Sequence, residues 1–404
     1  MSWEKVKLED LYDVHNGLSK GGKFFGSGYP FITFSTVFNN FFLPDEITDY
    51  VQSTEKEQAS YSVLRGDVFV TRTSETSDEL GMSCVALKDY PNTTYNGFTK
   101  RMRPKDNSRV HPEYIGYYMR MPSFRAEFKA FSTMTTRASL RNEDLLSLHI
   151  NLPPYQDQVK IAQILRNYDH LIENNRKQIK LLEEAAQRLY KEWFVDLRFP
   201  GYENTPIVDG VPEGWHLAKL SDVATVNAQS ISKQYSYEFV DYVDLSAVSN
   251  GHIEATTRFS IQEAPGRAKR VASDGDIIWG MVRPNLKSYA LVLHPTETNI
   301  FSTGFAVLSA KKIPFSFLYC HVTTDNFVSY LINCTNGAAY PAVKPIHFED
   351  ATLLVPSDDI LNQFHRIAEP MYRKIEVLEK QLFQAKEARD RLLPKLMNGE
   401  IEVL

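Results

Sequence analysis

Cysteine is scarce: 404 residues contain three, Cys84, Cys320 and Cys334, with no Cys-x-x-Cys pair. That excludes a disulfide scaffold or a zinc finger and fits a reducing cytoplasm. No stretch approaches 18 consecutive apolar residues, so no membrane helix is expected. The opening Met1-Ser2-Trp3-Glu4-Lys5 lacks the apolar core of a secretory leader. No histidine pair has metal-ligand spacing, and no local Ser, His and Asp set suggests a nucleophile. Positive charge is not in excess either, with 45 Lys and Arg against 50 Asp and Glu. What remains is an ordinary globular composition, 43% hydrophobic and 24% charged, long enough for two to three domains.

What the chain does have is a second copy of itself. Trp3-x3-Lys7-Leu8-x-Asp10-Leu11 reappears as Trp215-x3-Lys219-Leu220-x-Asp222-Val223, 212 residues on. Gly66-Asp67-Val68-Phe69 pairs with Gly275-Asp276-Ile277-Ile278 at 209, and Gly97-Phe98 with Gly304-Phe305 at 207. From Tyr114/Phe317 onward the offset holds at 203, through Pro153/Pro356 and Gln178/Gln381. The second copy is shorter, and all of the loss precedes its tail. Length changes of this kind fall in loops, where recognition tends to sit.

Each copy closes on a helix with heptad spacing. Ile161, Leu165, Tyr168, Ile172, Asn175, Ile179, Leu182, Ala186, Leu189 and Trp193 form one seam. Phe364, Ala368, Met371, Ile375, Leu378, Leu382, Ala385, Arg389, Leu392 and Leu396 form the other. Such seams want a partner helix, and the other copy is the obvious one. Asn175 and Arg389 are the misfits; Asn175 either sets the register or sits exposed at a loose spot. Asn398-Gly399 supplies a stop, whereas Pro370 and Pro394 are expected to kink or interrupt the second helix. Ahead of each helix, short strands such as Val68-Phe69-Val70 and Ile277-Ile278-Trp279 alternate with aromatic-rich helical stretches at 111–130 and 314–331. The fold class is therefore α+β: two mixed α/β domains, each followed by a long helix, the helices pairing as an antiparallel coiled coil.

Charge is unevenly placed. Residues 96–141 hold ten Lys and Arg against three Asp and Glu, and residues 258–287 hold six against three. A polyanion responds to local potential, so this chain can bind DNA despite its net charge of −5. The plain alternative is ordinary solvated surface.

Two motifs suggest catalysis and neither is complete. Gly17-Leu18-Ser19-Lys20-Gly21-Gly22-Lys23 fits a phosphate loop, but Phe24 stands where Ser or Thr should hold magnesium. Phe24-Phe25-Gly26-Ser27-Gly28 with Asn151-Leu152-Pro153-Pro154-Tyr155 resembles an amino-methylase pair. There Leu152 replaces the residue that must accept a hydrogen bond from the target amine. Pro153-Pro154 reads instead as a helix start, as Pro356 does in the second copy.

Leu152-Pro153-Pro154-Tyr155-Gln156-Asp157-Gln158, the run from Ile172-Glu173-Asn174-Asn175-Arg176 to Leu189-Tyr190-Lys191-Glu192-Trp193-Phe194-Val195-Asp196, and Leu392-Leu393-Pro394-Lys395-Leu396-Met397-Asn398-Gly399-Glu400-Ile401 carry a resemblance. With the two Gly-Asp strands they resemble the specificity subunit of type I restriction-modification systems, over nearly the whole chain. The resemblance implies a non-catalytic DNA-reading subunit in the cytoplasm, with target-recognition domains at 1–153 and 215–356. It implies spacer helices at 154–198 and 357–404 around a linker at 199–214. Each recognition domain would read one half of a split, asymmetric site. The paired helices would dock two methyltransferase subunits, with restriction/translocase subunits joining them. No cofactor is implied in this chain; S-adenosylmethionine, ATP and Mg would belong to the partners. A helix over 155–195 spans roughly 60 Å at about 1.5 Å per residue, enough to hold two half-sites apart on one duplex.

Candidate DNA contacts in the first domain are Arg72, Lys100, Arg101, Arg103, Thr136, Arg137 and Arg141. In the second they are Arg267, Lys269, Arg270, Arg283, Asn285, Lys287, Tyr340 and Lys344. Most would hold phosphates and a few would read base edges. A stand-alone DNA adenine methyltransferase and a coiled-coil scaffold without DNA are the rival readings.

Overall fold

The computed structural model describes residues 3–403 apart from 75–78, 132–137, 233–234 and 336–340. The chain forms two compact units, one of residues 1–173 and 383–404, the other of residues 174–382. Each long helix therefore contributes residues to both units.

Unit 1 opens by pairing Glu4–Lys7 antiparallel with His149–Leu152. Its main sheet runs in the order Tyr12–Asn16, Thr99–Pro104, Val68–Thr71, Ser83–Val85. A three-stranded sheet runs in the order Tyr50–Val51, Phe25–Ile32, Thr94–Tyr95. Helices Pro112–Arg120, Pro122–Phe131 and Asn142–Ser147 follow. Proline at 122 divides the aromatic stretch into two helices, because the residue before a proline avoids helical backbone.

Unit 2 repeats the plan. His216–Lys219 pairs antiparallel with Thr352–Val355, and its main sheet runs Ala224–Val226, Phe305–Ala310, Ile277–Gly280, Tyr289–Leu291. A second sheet orders Thr257–Ser260, Phe239–Val243, Asn299–Ser302, Ala268–Arg270. The strand registers reproduce the repeat: Glu4↔Leu152 corresponds to His216↔Val355, at offsets of 212 and 203. One alignment needs correction. Thr71↔Thr99 corresponds to Gly280↔Phe305, so Thr99, not Phe98, is the counterpart of Phe305, and the offset there is 206.

Val68–Thr71 and Ile277–Gly280 are buried at every residue, as central strands covered on both faces should be. Each is launched by a glycine with positive φ, Gly66 at +92° and Gly275 at +85°, followed by an aspartate. Asp67 Oδ2 accepts from Leu64 N at 2.8 Å, and Asp276 Oδ2 accepts from Ser273 N at 2.7 Å. The shared Gly-Asp is thus a turn-closing device, used once per copy.

The first long helix, Tyr155–Tyr190, continues as a π turn through Val195. The second, Asp358–Met397, is unbroken at Pro370 and Pro394, contrary to the expected interruption. Proline removes only one ladder bond, and the apolar face on either side of it is packed. Gly399, at φ +72°, ends the helix as expected. In unit 1, Ile161, Ala162 and Leu165 share a core with Leu393, Leu396 and Met397. In unit 2, Ile179, Ala186 and Tyr190 share one with Phe364, Ala368, Tyr372, Ile375 and Leu378. Within each unit the segments run antiparallel, and no seam position is exposed. Asn175 is buried at 2% exposure, which removes the reading of an exposed loose spot. Residues 199–214 carry their own structure, a 3-10 turn at Tyr202–Asn204 and a hairpin of Ile207–Val208 with Val211–Pro212. Phe199 is buried against Trp215, with ring centroids 4.7 Å apart.

Candidate nucleic-acid interface

The basic run at 96–141 turns inward. Arg103 forms a two-pronged pair with the buried Asp67, Nε to Oδ1 at 2.7 Å and Nη2 to Oδ2 at 2.6 Å, and also donates to Ser62 O at 2.9 Å. Arg101 is buried, donates from Nη1 to Ser62 O at 2.6 Å and stacks over the Tyr95 ring. Lys100 is buried with Nζ on Asn142 Oδ1. Burial, with the Arg72 charge beside it, lowers its pKa to about 8. Arg120 donates to three backbone carbonyls, those of Ser83, Val37 and Asn40, and burial brings its pKa down to about 10. Lys105 donates to Glu9 O at 2.7 Å. Arg141 is exposed but paired with Asp144 at 2.7 and 2.8 Å. Much of the apparent positive patch is therefore internal wiring.

Arg72 is half-buried and sits where two segments meet. Its N donates to Phe98 O at 2.8 Å and its O accepts from Leu140 N at 2.9 Å. Next to it, Thr73–Ser74 pairs with Ala138–Ser139. Unit 2 repeats the arrangement: Met281 N donates to Gly304 O at 2.9 Å and Met281 O accepts from Val343 N at 2.8 Å. Arg141 and Lys344 occupy equivalent places, each immediately before a short helix. Thr136, Arg137 and Tyr340, expected beside these segments, lie outside the described residues.

In unit 2 the cations are more outward. Arg267, Lys269, Arg283, Asn285 and Lys344 are exposed, and Arg270 and Lys287 are half-buried. Lys287 is held by Asp325, Nζ to Oδ1 at 2.8 Å. Arg267 and Lys269 lie on and beside the edge strand Ala268–Arg270, whereas Arg283, Asn285 and Lys287 share the loop after Ile277–Gly280. The sequence reading overlooked Phe98, 58% exposed, and Leu286, 55% exposed, each at the tip of a turn in these loops. The signal was an apolar residue between polar turn residues, in Asn96-Gly97-Phe98 and Pro284-Asn285-Leu286-Lys287.

The incomplete catalytic motifs lie in the wrong elements for catalysis. Gly22–Phe24 is a 3-10 turn leading into the strand Phe25–Ile32, not into a helix whose N-terminus could hold phosphate. Lys20 is paired with Glu57 at 2.8 Å. Leu152 ends a strand and Pro153-Pro154 precede the first long helix. Among the described residues no group of His, Cys, Asp or Glu is arranged to hold a metal ion, and no helix is long and apolar enough to cross a membrane.

Fold and surface together define a duplicated protein, two units of one plan with different exposed cations in their loops. Residues 1–184 match the family model described as the type I restriction modification DNA specificity domain. The type I restriction enzyme MjaIX specificity subunit of Methanocaldococcus jannaschii is 26% identical, over 99% of this chain and 94% of that one. The HindI specificity subunit of Haemophilus influenzae is 23% identical, over 98% and 99%. The crystal structure of the type I restriction-modification S subunit from M. genitalium superposes with a TM-score of 0.62 at 14% identity, covering 98% of this chain and 96% of that one. Residues 1–184 thus carry the family match, and the chain as a whole is similar to specificity subunits of type I restriction-modification systems.

Proposed function

We propose that each unit reads one half of a split, asymmetric DNA site and that the paired helices set the gap between the halves. The observation that carries this reading is the repetition of one plan with diverged surfaces. The same strand registers recur in both units, while Arg72, Arg101 and Arg103 have Met281, Val307 and Ser309 as counterparts. Two different readers in one chain suit an asymmetric site, where a homodimer would suit a palindrome. Methyltransferase subunits, two of them, dock on the helices, and restriction/translocase subunits complete the assembly. S-adenosylmethionine, ATP and Mg are held by those partners.

The test is a modified-base map of the host genome with and without the gene, then with residues 1–150 replaced by those of a relative. Loss of methyl-adenine at one gapped motif, and a change in only one half after the exchange, is the expected result. Loss at a short continuous motif would instead indicate a stand-alone methyltransferase.

A further inference from the structure

The loop joining Ile277–Gly280 to Tyr289–Leu291 in unit 2 is bent through two left-handed residues that are not glycine. Arg283 has φ +49° and Lys287 φ +53°, and between them Pro284–Leu286 makes a 3-10 turn. Left-handed backbone disfavours a Cβ, and such strain survives only where the surroundings enforce it. Here they do. Arg283 N donates to Pro341 O at 2.8 Å and Leu286 N to Arg283 O at 2.9 Å. Lys287 O accepts from Asn250 N at 2.9 Å, and Lys287 Nζ reaches Asp325 at 2.8 Å. The turn has its shape before any ligand arrives.

What it presents is Asn285 and Leu286, both exposed, Leu286 by 55%. An asparagine amide offers one donor and one acceptor, the complement of adenine N7 and N6 in the major groove. An adjacent aliphatic side chain is the complement of the thymine methyl group. A tip already fixed in shape loses little freedom on binding. We infer that Asn285 and Leu286 read the two bases of one A·T pair in the half-site of unit 2. Lys287 is then a strut that holds the turn through Asp325, not a DNA contact. The inference rests on the proposed reading of DNA and adds the residues and the base pair.

The test uses the chain assembled with its methylase subunits and duplex probes carrying the mapped site. Each thymine is replaced singly by deoxyuridine, which lacks the methyl. One replacement should weaken wild-type binding about 3- to 5-fold and leave Leu286→Ala unaffected. Asn285→Ala should lose about 5- to 100-fold in affinity and keep, at that position, only the roughly 3- to 5-fold preference for the thymine methyl. Both side chains are exposed, so thermal unfolding and loading onto methylase subunits should match wild type. A wild-type complex that selects its site but shows no deoxyuridine position separating it from Leu286→Ala overturns the inference. A wild-type complex with no sequence preference would instead remove the reading of DNA on which it rests.

Discussion

Arg389 Nη1 lies 2.7 Å from Asp169 Oδ1, joining side chains 220 residues apart across the helix pair of unit 1. Arg389 was the misfit of its heptad seam, and Asp169 is its partner. Asp169 also accepts from the Tyr117 hydroxyl. At the equivalent places in unit 2 stand Tyr372 and Cys320, hydroxyl to Sγ at 2.9 Å. Tyr372 and Cys320 are the counterparts of Asp169 and Tyr117, whereas Arg389 has Ala186 as its counterpart, so the charge belongs to unit 1 alone.

Removing one partner of a largely buried pair strands the other charge. Arg389→Ala should lower stability by about 2–4 kcal/mol, measured by urea denaturation. Arg389→Met combined with Asp169→Asn should recover part of that. A single variant as stable as wild type would show that the pair contributes nothing.

His252 joins the two long helices within unit 2. Its Nδ1 lies 2.6 Å from Glu379 Oε1 on the second helix, and its Nε2 3.4 Å from Glu183 Oε1 on the first. The hydrogen bond to Glu379 raises the imidazole pKa against opposing burial, with Glu183 and Glu254 adding to it. Burial also raises the Glu183 carboxyl. A raised folded pKa means the stabilisation is complete below the unfolded value of about 6.5 and is lost as pH climbs through the folded one. Thermal unfolding followed upward from about pH 6 should show this decline, and His252→Leu should flatten it. Parallel curves for the two proteins would dismiss the joint.

The inward and outward cations should separate in binding experiments. Arg103→Ala breaks a pair with an aspartate side chain only 1% exposed, so it should cost about 2–4 kcal/mol of stability. It should leave the salt dependence of DNA binding unchanged. Arg267→Ala and Lys269→Ala should leave folding intact and each reduce the slope of log affinity against log salt by about 1. Equal slopes for all three would remove Arg267 and Lys269 from the phosphate contacts.

Seven residues inserted into each long helix should lengthen the gap in the recognised site. The added rise is about 10.5 Å, near three base pairs. Mapping modified bases in cells carrying the variant gives the gap directly, and an unchanged gap would end the idea of a helical ruler.

Periodicity and repetition were legible because they are properties of order along the chain. The offset of 212 falling to 203 reappears as Glu4↔Leu152 and His216↔Val355 in the strand registers. Heptad spacing picked seam positions of which none is exposed, since helical geometry turns spacing into direction, but it passed over the buried Ala162, Tyr190, Tyr372, Leu393 and Met397 beside them. The one-residue slip at Phe98 was not legible, because Gly-Phe recurs in both copies while the strand register places Thr99 opposite Thr71.

The sequence by itself determined the duplicated α+β plan and the paired helices, both of which depend on which residue follows which. Only the tertiary structure decided which charges face out. The charge count at 96–141 carries no direction, and Asp67, Ser62 and Asn142, which draw Arg103, Arg101 and Lys100 inward, lie up to 42 residues away in the chain. The same holds for the left-handed bend at Arg283 and Lys287. Its strain is held by Pro341, Asn250 and Asp325, and only folding brings those residues to it.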